Sequence, residues 1–234
     1  AVDSEFDTLA KRTWLWKLVK ERSQVIAEAK RSGYTVHFGT IMELCHLKHA
    51  ELSKELQKYK GRIVFRGDIV KDEDGVYAVF SEQGAAASKV EAARFVDALA
   101  RMPGCGGFNV DAIKAFNQIK LPDTCPSTWC SMPRHRWPKE WEGRGFIDPV
   151  VPMEYNLYGH PLAGKFWEDY VDEAVKKEGF KPIPGWECLY FHWELRVVIS
   201  VYVDDFKIGG DSRNLDTVLT RLKKHMDLEE TLSN

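Results

Sequence analysis

The chain has 234 residues, 44% of them hydrophobic and 29% charged, and Lys+Arg minus Asp+Glu is 33 − 35 = −2. This balance excludes wholesale disorder, and it excludes a binder held to nucleic acid by global basic charge. The length suits one large domain or two small ones, with enough apolar material for a real core.

No apolar run is long enough to span a bilayer, and the polar, acidic start from Ala1 to Arg12 shows no secretory signal. Five cysteines, an odd number, argue against a disulfide framework. They point to a reducing intracellular compartment, nucleus or cytoplasm first, with an organelle as the alternative. Cys125 with Cys130, and Cys45 with His49, have partial metal-like spacing. A closed zinc site needs four ligands, so no structural zinc is expected.

In chain order, Ser4-Glu5-Phe6-Asp7 reads as an N-cap with an acid at N3 and predicts a helix running to about Ser32, stopped by Gly33. Ile41 to about Tyr59 reads as a second helix. Arg62 to Arg66 is a short β-branched strand, and Asp72-Glu73-Asp74-Gly75 is a turn. Ser88 to Ala100 has Ala92, Phe95, Val96 and Leu99 on one helical face, with Pro103-Gly104 as its stop.

Leu121 to Pro152, rich in Pro and Trp and without period, predicts long irregular connections. Lys165 to Glu178 is an amphipathic helix with Phe166, Trp167, Tyr170, Val171, Ala174 and Val175 inward. Leu189–Trp193 and Arg196–Val203 predict neighbouring antiparallel strands. Leu215, Val218, Leu219, Leu222 and Met226 define a last helix, capped by Asp211 or Ser212. This order predicts an α+β fold, an antiparallel sheet with helices packed on one face.

The chemistry concentrates in Tyr202-Val203-Asp204-Asp205, two adjacent carboxylates between strand-forming runs. Asp favours turns over strands, so the acids belong at a hairpin tip. Paired carboxylates raise each other's pKa, a penalty that a divalent cation removes. An ordinary surface Asp-Asp turn is the plain alternative. Asp111 stands at the end of another short apolar segment, and three carboxylates converging from two strands suit two metal ions in phosphoryl transfer. Arg134-His135-Arg136-Trp137 mixes cations and rings that suit a template strand, or else a Pro-stiffened loop packed onto the protein.

These segments resemble the reverse transcriptase domain of copia-type retrotransposons. Tyr202 to Asp205 matches the YxDD box, and Asp111 to Phe116 (DAIKAF) matches the first palm motif. Leu157 to Trp167 is similar to the LYGLKQAPRAWY segment, Lys60 to Gly67 to the KARLVARG fingers segment, and Val79-Phe80-Ser81 to TFSPV. The matches keep family order from about residue 58 to 228. The expected division is an N-terminal helical segment, 1–57, followed by a fingers–palm domain, 58–234, lacking thumb and RNase H.

The resemblance implies an RNA-directed DNA polymerase acting on RNA/DNA primer–template and dNTPs. Asp111, Asp204 and Asp205 would bind two Mg²⁺ ions. Lys60, Arg62 and Arg66 would meet the triphosphate. Tyr202 and Leu162 would line the nucleotide, and Phe116 falls at the sugar gate, though periodicity alone reads it as a core ring. Template contacts would fall to Arg134, Arg136 and Trp137. Leu162 stands where the family has Gln, and Gly164-Lys165 where it has Pro-Arg. Leu cannot hydrogen-bond a nucleotide. The alternative is a domesticated, inactive retroelement-derived module serving as a structural or nucleic-acid-binding subunit of a larger protein assembly.

Overall fold

The computed structural model describes residues 1–80, 84 and 87–231; Ser81, at the end of one matched segment, lies outside them. Its elements, in chain order, are α1 (Val2–Ala10), β1 (Lys20–Glu21), α2 (Arg22–Ser32), β2 (Val36–Lys48), β3 (Lys58–Phe65), α3 (Val90–Ala100), β4 (Cys105–Ala112) and β5 (Ser127–Ser131). There follow β6 (Pro149–Pro152), α4 (Ala163–Lys177), β7 (Lys181–Pro182), β8 (Leu189–His192), β9 (Val197–Tyr202), β10 (Asp205–Asp211), α5 (Leu215–Leu222) and β11 (Leu228–Thr231). The fold is α+β. Two compact units divide it, one made of residues 1–81 and 120–163, the other of 82–119 and 164–234.

The first unit carries a five-stranded sheet in the order β1-β6-β5-β2-β3, parallel only between β2 and β5. Phe6, Trp14, Ile41, Ile63, Phe65, Trp141 and Leu157 share its main core, while Val25 and Ala29 of α2 pack on Val36, Phe38 and Val150. Among the polar side chains buried there are His37 and His160. His160 faces the rings of Phe65 and Phe80, and burial, helped by neighbouring His37, pushes its imidazole down to about 4. Burial lowers His37 as well.

Several expectations change here. The N-terminal helix is two helices, because Thr13 and Trp14 are drawn into pairing: the Thr13 carbonyl accepts the Glu154 N–H (2.8 Å), and Trp14 bridges Met153. The segment after Ile41 is strand, not helix. Met42, Glu43, Leu44 and Lys48 are good helix formers, but eight register pairs with β3 override that preference. His49, in the left-handed region at φ 58°, then turns the chain. Leu121–Pro152 is not wholly irregular, since β5 and β6 join the sheet. The first 57 residues lie in the same unit as β3, their partner strand.

The second unit carries a six-stranded antiparallel sheet in the order β11-β4-β10-β9-β8-β7. Helices α4 and α5 cover one face: the Trp167 ring meets Phe206 edge-on at 6.4 Å, and Leu215 reaches Gly106. On α4 the buried positions Trp167, Val171, Ala174 and Val175 fall on one stripe. The other face takes α3, so helices flank both sides.

Helix α3 crosses the strands obliquely. Ala92 packs by Leu189 and Val198, Val96 sits over Gly209, and Ala100 over Gly107. A Cβ at Gly209 or Gly107 would stand 2.9 Å from Val96 or 2.7 Å from Ala100, so the bare strands admit the helix. Phe95, expected on the inward face, is half exposed. Asn214 stands at the N-cap position of the last helix, but its side chain donates to the Leu195 carbonyl and caps nothing; Asp211 accepts the Arg213 N–H and guanidinium.

Candidate active site

Strand β9 is buried from Val197 to Val201 and surfaces at Tyr202. Tyr202 pairs with Asp205, leaving Val203 and Asp204 as a two-residue hairpin turn. Val203 has φ 56°, and Asp204 is not among the residues with positive φ. A β-branched side chain in that region is strained, and such strain gathers at functional sites. Two bonds hold the turn: the Trp167 indole donates to the Val203 carbonyl, and the Ala112 N–H donates to the Asp204 carbonyl (2.7 Å). The second bond ties the turn to the end of β4.

Register places the acids side by side. Asp205 lies directly opposite Asp111, and on the other side of β4 Asp111 lies opposite Glu229. The bond from Ala112 to Asp204 fixes Asp111–Asp205 as a non-hydrogen-bonded pair, with Cα atoms about 4.5 Å apart and side chains on one face. Their neighbours Val110, Ala112, Phe206 and Leu228 are buried on the opposite face, whereas Asp111, Asp205 and Glu229 are exposed. Glu229–Asp111–Asp205–Tyr202 is thus one row across four strands. Nothing in residues 228–231 read alone announces that Glu229 would join it.

Burial, reinforced by the Asp204 charge and eased by Lys207, raises the Asp205 carboxyl. Lys207, two residues along the same face, is held by Asp97 at 2.7 and 2.9 Å. Like charges opposite each other weaken a sheet, and a cation between them removes that penalty. Among the described residues no three His, Cys, Asp or Glu side chains form a ready-made metal site. Magnesium does not require one, since it is commonly held by one or two carboxylates plus substrate phosphates and water. Asp111 and Asp205 fit that donor set, and Asp204 adjoins them.

The other predicted residues divide between the units. Phe116 lies in the second, in the short turn Ala115–Gln118, and is 9% exposed; Tyr202 is 55% exposed. In the first unit, Lys60 and Arg62 stand on β3 opposite His46 and Leu44. Arg66 grips Asp68 with two bonds of 3.2 and 2.7 Å. The Leu162 N–H donates to His160 Nδ1 (3.3 Å), and its side chain is half-buried.

Arg134 lies over the Trp137 ring at 5.2 Å. Arg136, its side chain 12% exposed, bonds Glu43 (2.6 Å) and Asp3 (2.7 Å) and covers the Phe6 ring. The Trp137 indole donates to the Met132 carbonyl (2.9 Å). The polar groups of Arg136 and Trp137 thus have partners within the unit.

The family model described as "Reverse transcriptase (RNA-dependent DNA polymerase)" matches residues 43–233. No curated protein matches the chain. Among solved structures the chain is similar to a telomerase from Candida albicans, determined in complex with a fragment of telomeric RNA, with 8% identity and a TM-score of 0.46. That alignment covers 100% of this chain, which spans 46% of the telomerase chain.

Proposed function

The chain belongs to the reverse transcriptase (RNA-dependent DNA polymerase) family, and we propose that its second unit carries a cation-dependent nucleotidyl transfer site on Asp111, Asp204 and Asp205. The observation that carries this reading is the register pair Asp111–Asp205, with Asp204 tied to the same strand end. Bound Mg²⁺, two ions in this reading, would acidify a primer hydroxyl and neutralise the departing pyrophosphate. The chain's own contribution is placement: the sheet presents Asp111 and Asp205 from one row with Asp204 in the adjoining turn, and Trp167 fixes that β9–β10 turn.

The remaining assignments belong to the same proposal. Phe116 is the sugar-facing wall that disfavours a 2′-hydroxyl, and Tyr202 and Leu162 line the nucleotide. Lys60 and Arg62 meet the triphosphate, where cations suit phosphate oxygens; Arg66 does so on release from Asp68. Arg134 is the template cation that the loop leaves exposed. We place the domain in a copia-type element's polyprotein, working in a reducing intracellular compartment, nucleus or cytoplasm. All five cysteines are free thiols, and among the described residues no helix is long and apolar enough to cross a membrane.

One observation favours a second reading. Leu162 offers a nucleotide only an apolar side chain, and its N–H is already given to His160. A retroelement-derived module that kept the fold and serves a larger assembly would tolerate that.

The test is primer extension on an RNA template with Mg²⁺ and dNTPs. Extension that disappears with Asp204→Asn and Asp111→Asn supports the polymerase. A folded chain that binds primer–template without extending it supports the second reading and ends the first.

A further inference from the structure

We propose that the second unit holds a binding site for a small aromatic or branched-aliphatic carboxylate, between α3 and the β8–β9 hairpin. A cavity of about 640 Å³ opens there, walled by Phe95 and Leu99 of α3 and by Ile183, Phe191 and Val198. Small-molecule sites occupy about 300–1,000 Å³, with apolar walls and a few convergent polar groups.

The cavity follows from how α3 sits. A helix of this length is about 16 Å long and about 10 Å wide, against a six-stranded sheet about 24 Å across. Gly209 and Gly107 draw its C-terminal half down onto β10 and β4. Because the helix runs obliquely away from β8, a wedge opens between its Phe95–Leu99 side and Phe191. Val198 is buried at the wedge's floor, Leu99, Ile183 and Phe191 are only partly buried around it, and Phe95 is half exposed at its mouth.

The rim supplies the sign of the ligand. Arg213 is gripped by Asp211 through two bonds of 2.9 and 2.6 Å. Arg196, at the hairpin, is exposed and makes no ion pair among the described residues. Two arginines less one aspartate leave a net charge of +1 at the rim. A guanidinium beside an apolar slot suits a carboxylate on an apolar body, the ring between Phe95 and Phe191 and the carboxylate on Arg196.

This site is separate from the acidic row. Val198 and Tyr202 are four residues apart on β9, about 13 Å, and Asp211 and Asp205 are six apart on β10, about 20 Å. It stands whether or not the chain polymerises DNA, and binding is read without turnover.

The probes are 2-naphthoate and its uncharged analogue 2-naphthamide, titrated into the intact chain by calorimetry and by ¹⁵N NMR. The expected result is preferential naphthoate binding, with shifts at Leu99, Phe191 and Val198. Arg196→Gln should weaken naphthoate about tenfold, the scale of a charged hydrogen bond, and leave the amide unchanged. Leu99→Trp should fill the cavity and abolish both; should it fail to fold, Phe95→Ala removes one exposed wall and should weaken both. No naphthoate binding, equal binding of the two probes, or indifference to Arg196→Gln would overturn the proposal.

Discussion

Asp111 and Asp205 face each other across neighbouring strands β4 and β10, two carboxylates in one non-hydrogen-bonded pair. A sheet does not gain stability from that arrangement, which ties function to a measurable cost. Burial and the Asp204 charge raise the Asp205 carboxyl above its ordinary 3.8, so the folded state holds that proton more tightly than the unfolded chain. Stability is then lost as pH rises through the raised value. Asp205→Asn should therefore unfold at a higher temperature than the wild type at pH 7, and the gain should shrink as pH falls toward 3.8 and vanish only well below it, where the carboxyl is protonated in the folded and unfolded chain alike. A thermal melt series between those pH values checks this, and a variant less stable at pH 7 contradicts it.

Trp167 holds the turn that joins β9 to β10. Its indole donates to the carbonyl of Val203, the strained residue at the tip. Trp167→Phe keeps most of the ring and loses the donor, leaving that carbonyl without the bond, a loss of about 1–2 kcal/mol. Trp167→Ala empties a fully buried site and should cost about 3–5 kcal/mol. The Phe variant should stay folded but show broadened amide resonances for 203–205, and unchanged resonances would count against the positioning role.

Much of this was legible from residue order. The Asp-Asp hairpin, the strand ending at Asp111 and the apolar stripe of α4 all follow from local preference, and they form where expected. Residues 41–48 were not legible as strand, because leucine, methionine, glutamate and lysine prefer helix and only pairing with β3 decides otherwise. Glu229 beside Asp111 and Trp167 on Val203 were hidden for a different reason. Both depend on register and packing between segments far apart in the chain, which periodicity within a segment does not encode. The bonds from Arg136 to Glu43 and Asp3 were hidden for the same reason, since more than ninety residues separate Arg136 from either partner.

Arg136 separates a packing role from a template role. Its guanidinium joins α1 to β2 through Asp3 and Glu43. Arg136→Ala should cost about 2 kcal/mol, the scale of a hydrogen bond to a charged group, and urea denaturation measures it. Arg136→Lys should recover little, since one ammonium cannot reproduce the fork. Reduced RNA affinity with unchanged stability would restore the template role.

His160 gives the first unit an acid limit. Its folded pKa is lowered from 6.5 to about 4 by burial and by His37, so the unfolded chain binds the proton first. Stability is whole above pH 6.5 and falls as pH drops toward 4. That window accounts for about 3 kcal/mol. His160→Gln should flatten denaturation midpoints across it, and an equally steep acid loss in the variant would assign the effect elsewhere.

The acidic row itself is tested most directly by Mn²⁺ binding, followed by electron paramagnetic resonance with and without a dNTP. The wild type should bind Mn²⁺ weakly alone and at least tenfold more tightly with nucleotide, because phosphate oxygens complete the shell that two carboxylates begin. Asp111→Asn and Asp205→Asn should each remove that enhancement. Nucleotide-independent binding, or enhancement that survives both substitutions, would contradict the site.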